Sequence, residues 1–233
     1  MIFFKKEKSL LLQKNSKPQK IVMRHFSIAI SIASSLFFFS ALRAQQIPIP
    51  GKGSIELGIS GGLNTSTVII NDDNNDKPAS RAGFNLGLSG DFYFSNRWSF
   101  KTKVAYEQKG WNNPSTYEDG NYHLNYVTVP LMANWHFGKT RNWYLNFGPY
   151  IGFLTSATAT NIGDVKPAFK STDLGLALGI GVKFPISDNI KIHLELGGEG
   201  GFGNILKSSY NTFGNSIRNS SGSLNIGFNF LLK

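Results

Sequence analysis

The stretch DLGLALGIGVKF, residues 173–184, alternates without a break. Leu174, Leu176, Leu178, Ile180, Val182 and Phe184 fall on one side of a period-2 strand. Gly175, Ala177, Gly179, Gly181 and Lys183 fall on the other. A half-buried strand of a soluble protein sets an apolar face against a polar one. Here the second face is small rather than polar. A narrow closed barrel has an interior that only few or small side chains can fill, so its bulky residues point out. An outward face that is uniformly aliphatic needs an apolar surrounding, which a bilayer supplies.

The following run, IKIHLELGGEGGF at 190–202, repeats the division. Ile190, Ile192, Leu194 and Leu196 oppose Lys191, His193, Glu195 and Glu199. In WSFKTKVAYEQKG, 98–110, Trp98, Phe100, Val104 and Tyr106 oppose Lys101, Lys103, Glu107 and Lys109. In NYVTVPLMANWHF, 125–137, Val127, Val129, Leu131, Ala133, Trp135 and Phe137 oppose Tyr126, Thr128, Pro130, Met132 and Asn134. Further alternating runs lie at 54–64, 82–94, 143–154 and 221–232. Together they make eight, each near the ~9–11 residues that a tilted strand needs to cross a bilayer.

The connections sort into two kinds. SNR, GKTRN and ISDN are tight hairpin turns. TSTVIINDDNNDKPASR, WNNPSTYEDGNYHL, TSATATNIGDVKPAFKST and NILKSSYNTFGNSIRNS are long and polar. Short and long alternate along the chain, as periplasmic turns and outward loops do in an outer-membrane barrel, and an even strand number puts both termini on the short-turn side. The expected fold is therefore all-β: an eight-stranded antiparallel up-and-down transmembrane β-barrel.

Composition agrees with this reading. There is no cysteine, which excludes disulfides and thiol chemistry. The net charge of +10 does not signal a nucleic-acid partner. Eight of the 24 Lys and Arg residues precede Gln45, against one of the 14 acids, so the rest of the chain carries only +3. The early segment reads as a signal peptide over 1–44, with basic residues, an apolar run from 26 to 42 and Ala44 before Gln45. The run is interrupted by serines and falls short of the ~20 residues of a membrane helix. The long Lys-rich stretch before it points to Met23 as the true start. A short linker then covers 45–53 and the barrel domain 54–233.

On this reading the inward charges are Glu56, Asp91, Glu107, Glu195 and Glu199 against Lys101, Lys103, Lys109, Lys183 and Lys191, with His193 on the same face. Five acids facing five bases suit a closed, salt-bridged lumen, because an unpaired buried charge is costly. Phe94, Trp98, Trp135, Phe137, Trp143 and Phe184 gather beside the short turns, as an interfacial girdle would. Trp111 and Tyr122 sit beside a long loop, where the opposite girdle would lie.

The final segment NIGFNFLL, 225–232, resembles the C-terminal assembly signature of bacterial outer-membrane barrels through Asn225, Gly227, Phe230 and Leu232, although Lys233 takes the place of the usual terminal aromatic. The barrel portion as a whole resembles the PorT-like outer-membrane β-barrel proteins common in Bacteroidetes. LNYVTVPLMANWHFG, with Pro130 in mid-strand, carries that resemblance, as do FGPYIGFL with Gly148, Pro149 and Tyr150, and YEQKGW. None of these is a catalytic motif. A proline inside a strand also predicts a bulge or a missing ladder bond at Pro130.

Enzymatic chemistry finds little support. His193, Glu195 and Glu199 share a face and could form a general base or weak metal site, but the nearby lysines favour a charge network. Asp72–Pro78 has carboxylates at short spacing yet lacks the glycine and closing glutamate of an EF-hand loop. The expectation is a structural, adhesive or envelope-interaction protein, not an enzyme, with no cofactor, no metal and no nucleic acid. Its expected partners are outer-membrane lipid, the barrel assembly machinery and a protein reached through the outward loops. A narrow porin is the main alternative; an outer-membrane enzyme and a soluble lipocalin-like binder are weaker ones.

Overall fold

The computed structural model describes residues 49–71, 78–113, 120–210 and 216–232. The expected signal peptide, residues 45–48 of the linker, most of the 72–78 acidic loop and Lys233 lie outside them. Eight long strands run through the chain. They are β1 (Ile55–Asn71), β2 (Ala79–Tyr93), β3 (Trp98–Asn112), β4 (Tyr122–Phe137), β5 (Trp143–Ala159), β6 (Thr172–Pro185), β7 (Ile190–Gly201) and β8 (Ser216–Leu232).

Each strand pairs antiparallel with its chain neighbours, and β8 returns to β1 from Ile55↔Leu232 to Asn71↔Ser216. The sheet is closed, so no barrel strand is left as an edge, which is what a bilayer interior demands of a β-structure. No helix among the described residues is long and apolar enough to cross a membrane.

The short-turn ends of the strands lie where alternation stops in the sequence, whereas the long-loop ends run further than expected. β1 continues seven residues past Asn64, β5 five past Leu154, and β8 begins five before Ser221. These extensions are rich in Ser, Thr, Asn and Ala, whose two faces differ too little to display a period. A 17-residue strand is roughly 56 Å long at ~3.3 Å per residue, enough to pass beyond an apolar band about 25 Å tall even when tilted.

The wall is inverted relative to a soluble protein. Leu63, Leu88 and Leu196 are 73%, 63% and 59% exposed, while Glu56, Asp91, Lys109 and Lys183 are each 2% exposed or less. The continuous apolar outer surface far exceeds any patch a water-soluble monomer carries. Pro130 leaves the register intact but interrupts the ladders on both sides. Pairing between β3 and β4 passes from Thr102↔Leu131 to Ala105↔Thr128, and between β4 and β5 from Pro130↔Tyr150 to Ala133↔Phe147. Pro149, opposite Leu131, adds a second missing amide; the Thr102 hydroxyl donates to Pro130 O at 3.0 Å.

Candidate functional site

The lumen is filled by polar layers stacked along the barrel axis. The layer nearest the short turns draws on the ends of β1, β2, β6 and β7. Lys183 is its hub: the ammonium bonds Glu56, reaches Asp91 Oδ2 at 3.3 Å and donates to Tyr93 OH at 3.4 Å. Lys191 approaches the other Glu56 oxygen at 3.4 Å. Asp91 also accepts from Ser99 at 3.0 Å and Asn134 at 2.9 Å. Tyr93 stacks on His136 at 4.8 Å.

One step outward, Lys101 donates to Glu195 at 2.8 Å, and the Asn146 amide donates to the same oxygen at 2.9 Å. Lys101 lies over the Tyr144 ring at 4.8 Å, and Lys183 lies over the same ring at 5.3 Å. His193 is occupied by Asn229, Nδ1 to Oδ1 2.5 Å. The third layer centres on Lys109, between Glu199 at 2.5 Å and Glu107 at 3.1 Å, with the rings of Tyr150 and Tyr126 at 5.0 and 5.5 Å. Thr128 donates to Glu107 at 2.9 Å. Apart from Lys109–Glu107 these ion pairs join strands distant in sequence, and Lys101–Glu195 and Lys109–Glu199 tie β3 to β7 on the opposite wall.

A cavity of about 30 Å3 lies between the second and third layers, room for a water or so. Lys103, Glu107, Glu195, Glu199, Asn64 and Asn225 line it. Lys103 thus faces three carboxylates. Glycine makes such packing possible at two points. A Cβ on Gly181 would overlap the Tyr144 ring, and one on Gly227 would overlap Ile59 O and the His193 ring.

Above the third layer Asp173, 3% exposed, accepts from Tyr150 OH and Asn219 Nδ2, both at 2.9 Å. Over this sits an apolar cap. Val68, Trp111, Leu124, Tyr126, Leu154 and Ala157 from the strands pack with Phe169 and Ile205 from the connections at 160–171 and 202–215. The two connections are joined by a Phe169↔Leu206 bridge and by amide bonds from Lys170 to Ile205 O and from Lys207 to Ala168 O. Trp111 and Tyr122 stack at 4.4 Å, and Phe169 sets its edge against both.

The eleven residues named from sequence therefore all face the lumen. They divide into separate layers, with Lys183 and Lys191 serving Glu56 and Asp91 rather than Glu195 and Glu199. His193, Glu195 and Glu199 each have other partners, and no three His or acidic residues among the described residues form a metal cluster. Asn225 and Gly227 point inward, while Phe230 and Leu232 are outward and paired with Leu57 and Ile55. Asp173, Tyr93, Tyr144 and the cap residues Val68, Leu124, Leu154, Ala157, Phe169 and Ile205 were not singled out from sequence, and Trp111, expected in the opposite interfacial girdle, is instead buried in the cap with Tyr122 packed against it. The tyrosines were legible by parity, since each shares a strand face with an inward Asp or Asn. The cap was not, because Phe169 and Ile205 come from stretches with no period.

A family model described as outer membrane protein beta-barrel domain matches residues 43–207. No curated protein sequence matches the chain. Among solved structures, similarity is found to the outer membrane protein OprG from Pseudomonas aeruginosa, at 15% identity and a TM-score of 0.48, covering 79% of this chain and 99% of that one. Neisserial surface protein A gives 17% identity and 0.48 over 77% and 99%. Ail, the attachment invasion locus protein of Yersinia pestis, gives 20% and 0.41 over 76% and 99%.

Proposed function

The chain belongs to the family of outer membrane β-barrel domains, and from that premise we propose that it is a closed envelope scaffold rather than a pore. The short turns face the periplasm and the long loops face outward. The work is done at the two rims and the lipid-facing wall, in envelope integrity, adhesion or contact with other envelope components. The leader over 1–44 directs export, and the barrel assembly machinery reads the final strand. PorT-like affiliation rests on the stretches around Pro130 and Pro149.

The observation that carries the reading is the succession of cross-lumen ion pairs beneath an apolar cap. An ion following the axis would have to part Lys109 from Glu199, Lys101 from Glu195 and Lys183 from Glu56. A buried charge left without its partner costs about 3–5 kcal/mol. No carboxylate in these layers is free to act as a base, which also speaks against an enzyme.

The test is conductance in planar bilayers, on protein whose folded state is verified by a heat-dependent gel shift. A silent bilayer is expected. Stepwise currents from folded protein would make the chain a narrow porin.

A further inference from the structure

Among its described residues the short-turn rim of the barrel is basic. These residues include Lys52, Arg97, Lys139 and Arg141 against a single acid, Asp188. Lys52, Arg97 and Lys139 are exposed and Arg141 partly so. The bases are not spread evenly. Arg97 lies in the turn at 94–97, and Lys139 and Arg141 in the turn at 138–142, which flank β3 and β4. The third turn, 186–189, holds Asp188 and no base.

Hydrogen bonds join these two turns into one ledge. The Arg141 guanidinium donates to Asn96 O at 3.0 Å, and the His136 amide donates to Arg97 O at 2.7 Å. Ser95 Oγ accepts from the amides of Arg97 and Trp98 at 3.2 and 2.9 Å. Arg141 holds φ at +54°, a left-handed conformation that Gly or Asn would take more readily. Just above the ledge, four outward rings form a continuous shelf: Trp98–Trp135 at 6.3 Å, Trp135–Phe137 at 5.0 Å and Phe137–Trp143 at 6.3 Å, with interplanar angles of 27–28°. Tryptophans on the outer wall of a barrel mark the headgroup level of the bilayer. The bases one turn beyond them are then at the depth of lipid phosphates, where each attracts anionic headgroups.

We propose that the ledge of Arg97, Lys139 and Arg141 beneath the Trp98–Trp135–Phe137–Trp143 shelf is a docking site for the phosphate headgroup of an anionic phospholipid. The guanidinium of Arg97 and the ammonium of Lys139 take the phosphate oxygens. The aromatic shelf takes the glycerol and upper acyl region. Arg141, held by Asn96, fixes the two turns relative to each other. The inference rests on the proposed function only in placing this end of the barrel at a lipid interface.

The test uses the full mature chain in phosphatidylcholine vesicles containing an equal small fraction of either brominated phosphatidylcholine or brominated phosphatidylglycerol. Bromine quenches nearby tryptophan, and three of the four tryptophans lie on the shelf. The anionic lipid is expected to be enriched at the shelf by roughly fivefold, the effect of one base at a charged surface. The enrichment should vanish in R97Q/K139Q and in 1 M salt, and should persist in K170Q at the opposite rim. Equal quenching by both lipids overturns the proposal, including the case of a rim built for an acidic periplasmic protein. A preference that survives R97Q/K139Q overturns it as well. Quenching by neither lipid would instead strike at the membrane-embedded reading itself. If R97Q/K139Q fails the gel-shift test, the salt arm on the native chain decides.

Discussion

At the short-turn end the lumen is filled by Lys183, Lys191, Glu56 and Asp91; at the long-loop end it is filled by Trp111, Leu124, Phe169 and Ile205. The two fillings work by unlike means. The first is electrostatic and built wholly from strand residues, so its geometry is fixed by the closed ladder. The second is apolar and borrows Phe169 and Ile205 from connections, so it is complete only after those connections fold back. A charged filling is costly to break from one side, because the remaining partner keeps its desolvation penalty. An apolar filling loses contact area and leaves a cavity. The two ends should therefore answer differently to substitution, to salt and to local unfolding.

The largest difference is expected from K183M. It leaves Asp91 without a cation and Glu56 with only the long contact to Lys191, in an interior where both acids are 2% exposed or less, and the barrel should lose about 3–5 kcal/mol. Urea unfolding in detergent, followed by the gel shift, measures it. The double variant K183M/D91N leaves Lys191 to balance Glu56 and should recover most of the loss. Raising salt to 1 M should change neither value much, since buried pairs are poorly screened. A K183M protein as stable as the native chain would mean that this layer is hydrated rather than dry.

F169A strikes the other filling. Truncating a buried Phe costs about 3 kcal/mol or more in a rigid core, but here the loss should appear as local opening. Protease nicking within 160–171 should accelerate while the barrel keeps its gel shift, and the bilayer should stay silent because the ionic layers remain. Faster global unfolding in F169A, with no change in nicking, would show the cap to be part of the barrel's cooperative unit.

The same contrast explains what could be read from the sequence. Inward charges on 98–110, 173–184 and 190–202 announced themselves because a strand's period is 2 and one face was aliphatic. The turns at 94–97, 138–142 and 186–189 were sharp for the same reason. Layering was invisible, since it depends on the stagger of strands around the barrel, which brings Lys101 to Glu195 across 94 residues. Asp173 went unnoticed at the very start of its run, where no preceding residue defines its face. Phe169 and Ile205 belong to no alternating pattern, and their two connections meet through the Phe169↔Leu206 bridge and the amide bonds beside it. Strand extensions such as 65–71 were read as loop because Thr and Ser alternate with Thr and Val without a clear apolar side.

A third variant probes the seam where the first and last strands meet. G227A would drive a methyl group into Ile59 O and the His193 ring. Overpacking of this kind costs about 1–3 kcal/mol, and it falls on the pairing that closes the barrel. The expected result is a lower yield of heat-modifiable protein on refolding, larger than that from G200A, where a Cβ meets open space. Equal yields would mean that closure does not depend on the close approach at Gly227.

The smallest effect worth measuring lies within the ionic layer. Lys191 touches Glu56 at 3.4 Å, a long contact, while Glu56 keeps Lys183 and the Tyr93 hydroxyl whatever happens to Lys191. K191M should therefore cost only about 1 kcal/mol, the worth of a single hydrogen bond whose partner stays satisfied. The same substitution made in the K183M background should cost several times more, because Glu56 then has no other cation. That non-additivity is the signature of a shared carboxylate. Additive losses would mean that Lys183 and Lys191 serve separate acids, and the layer would have to be redrawn as two independent pairs.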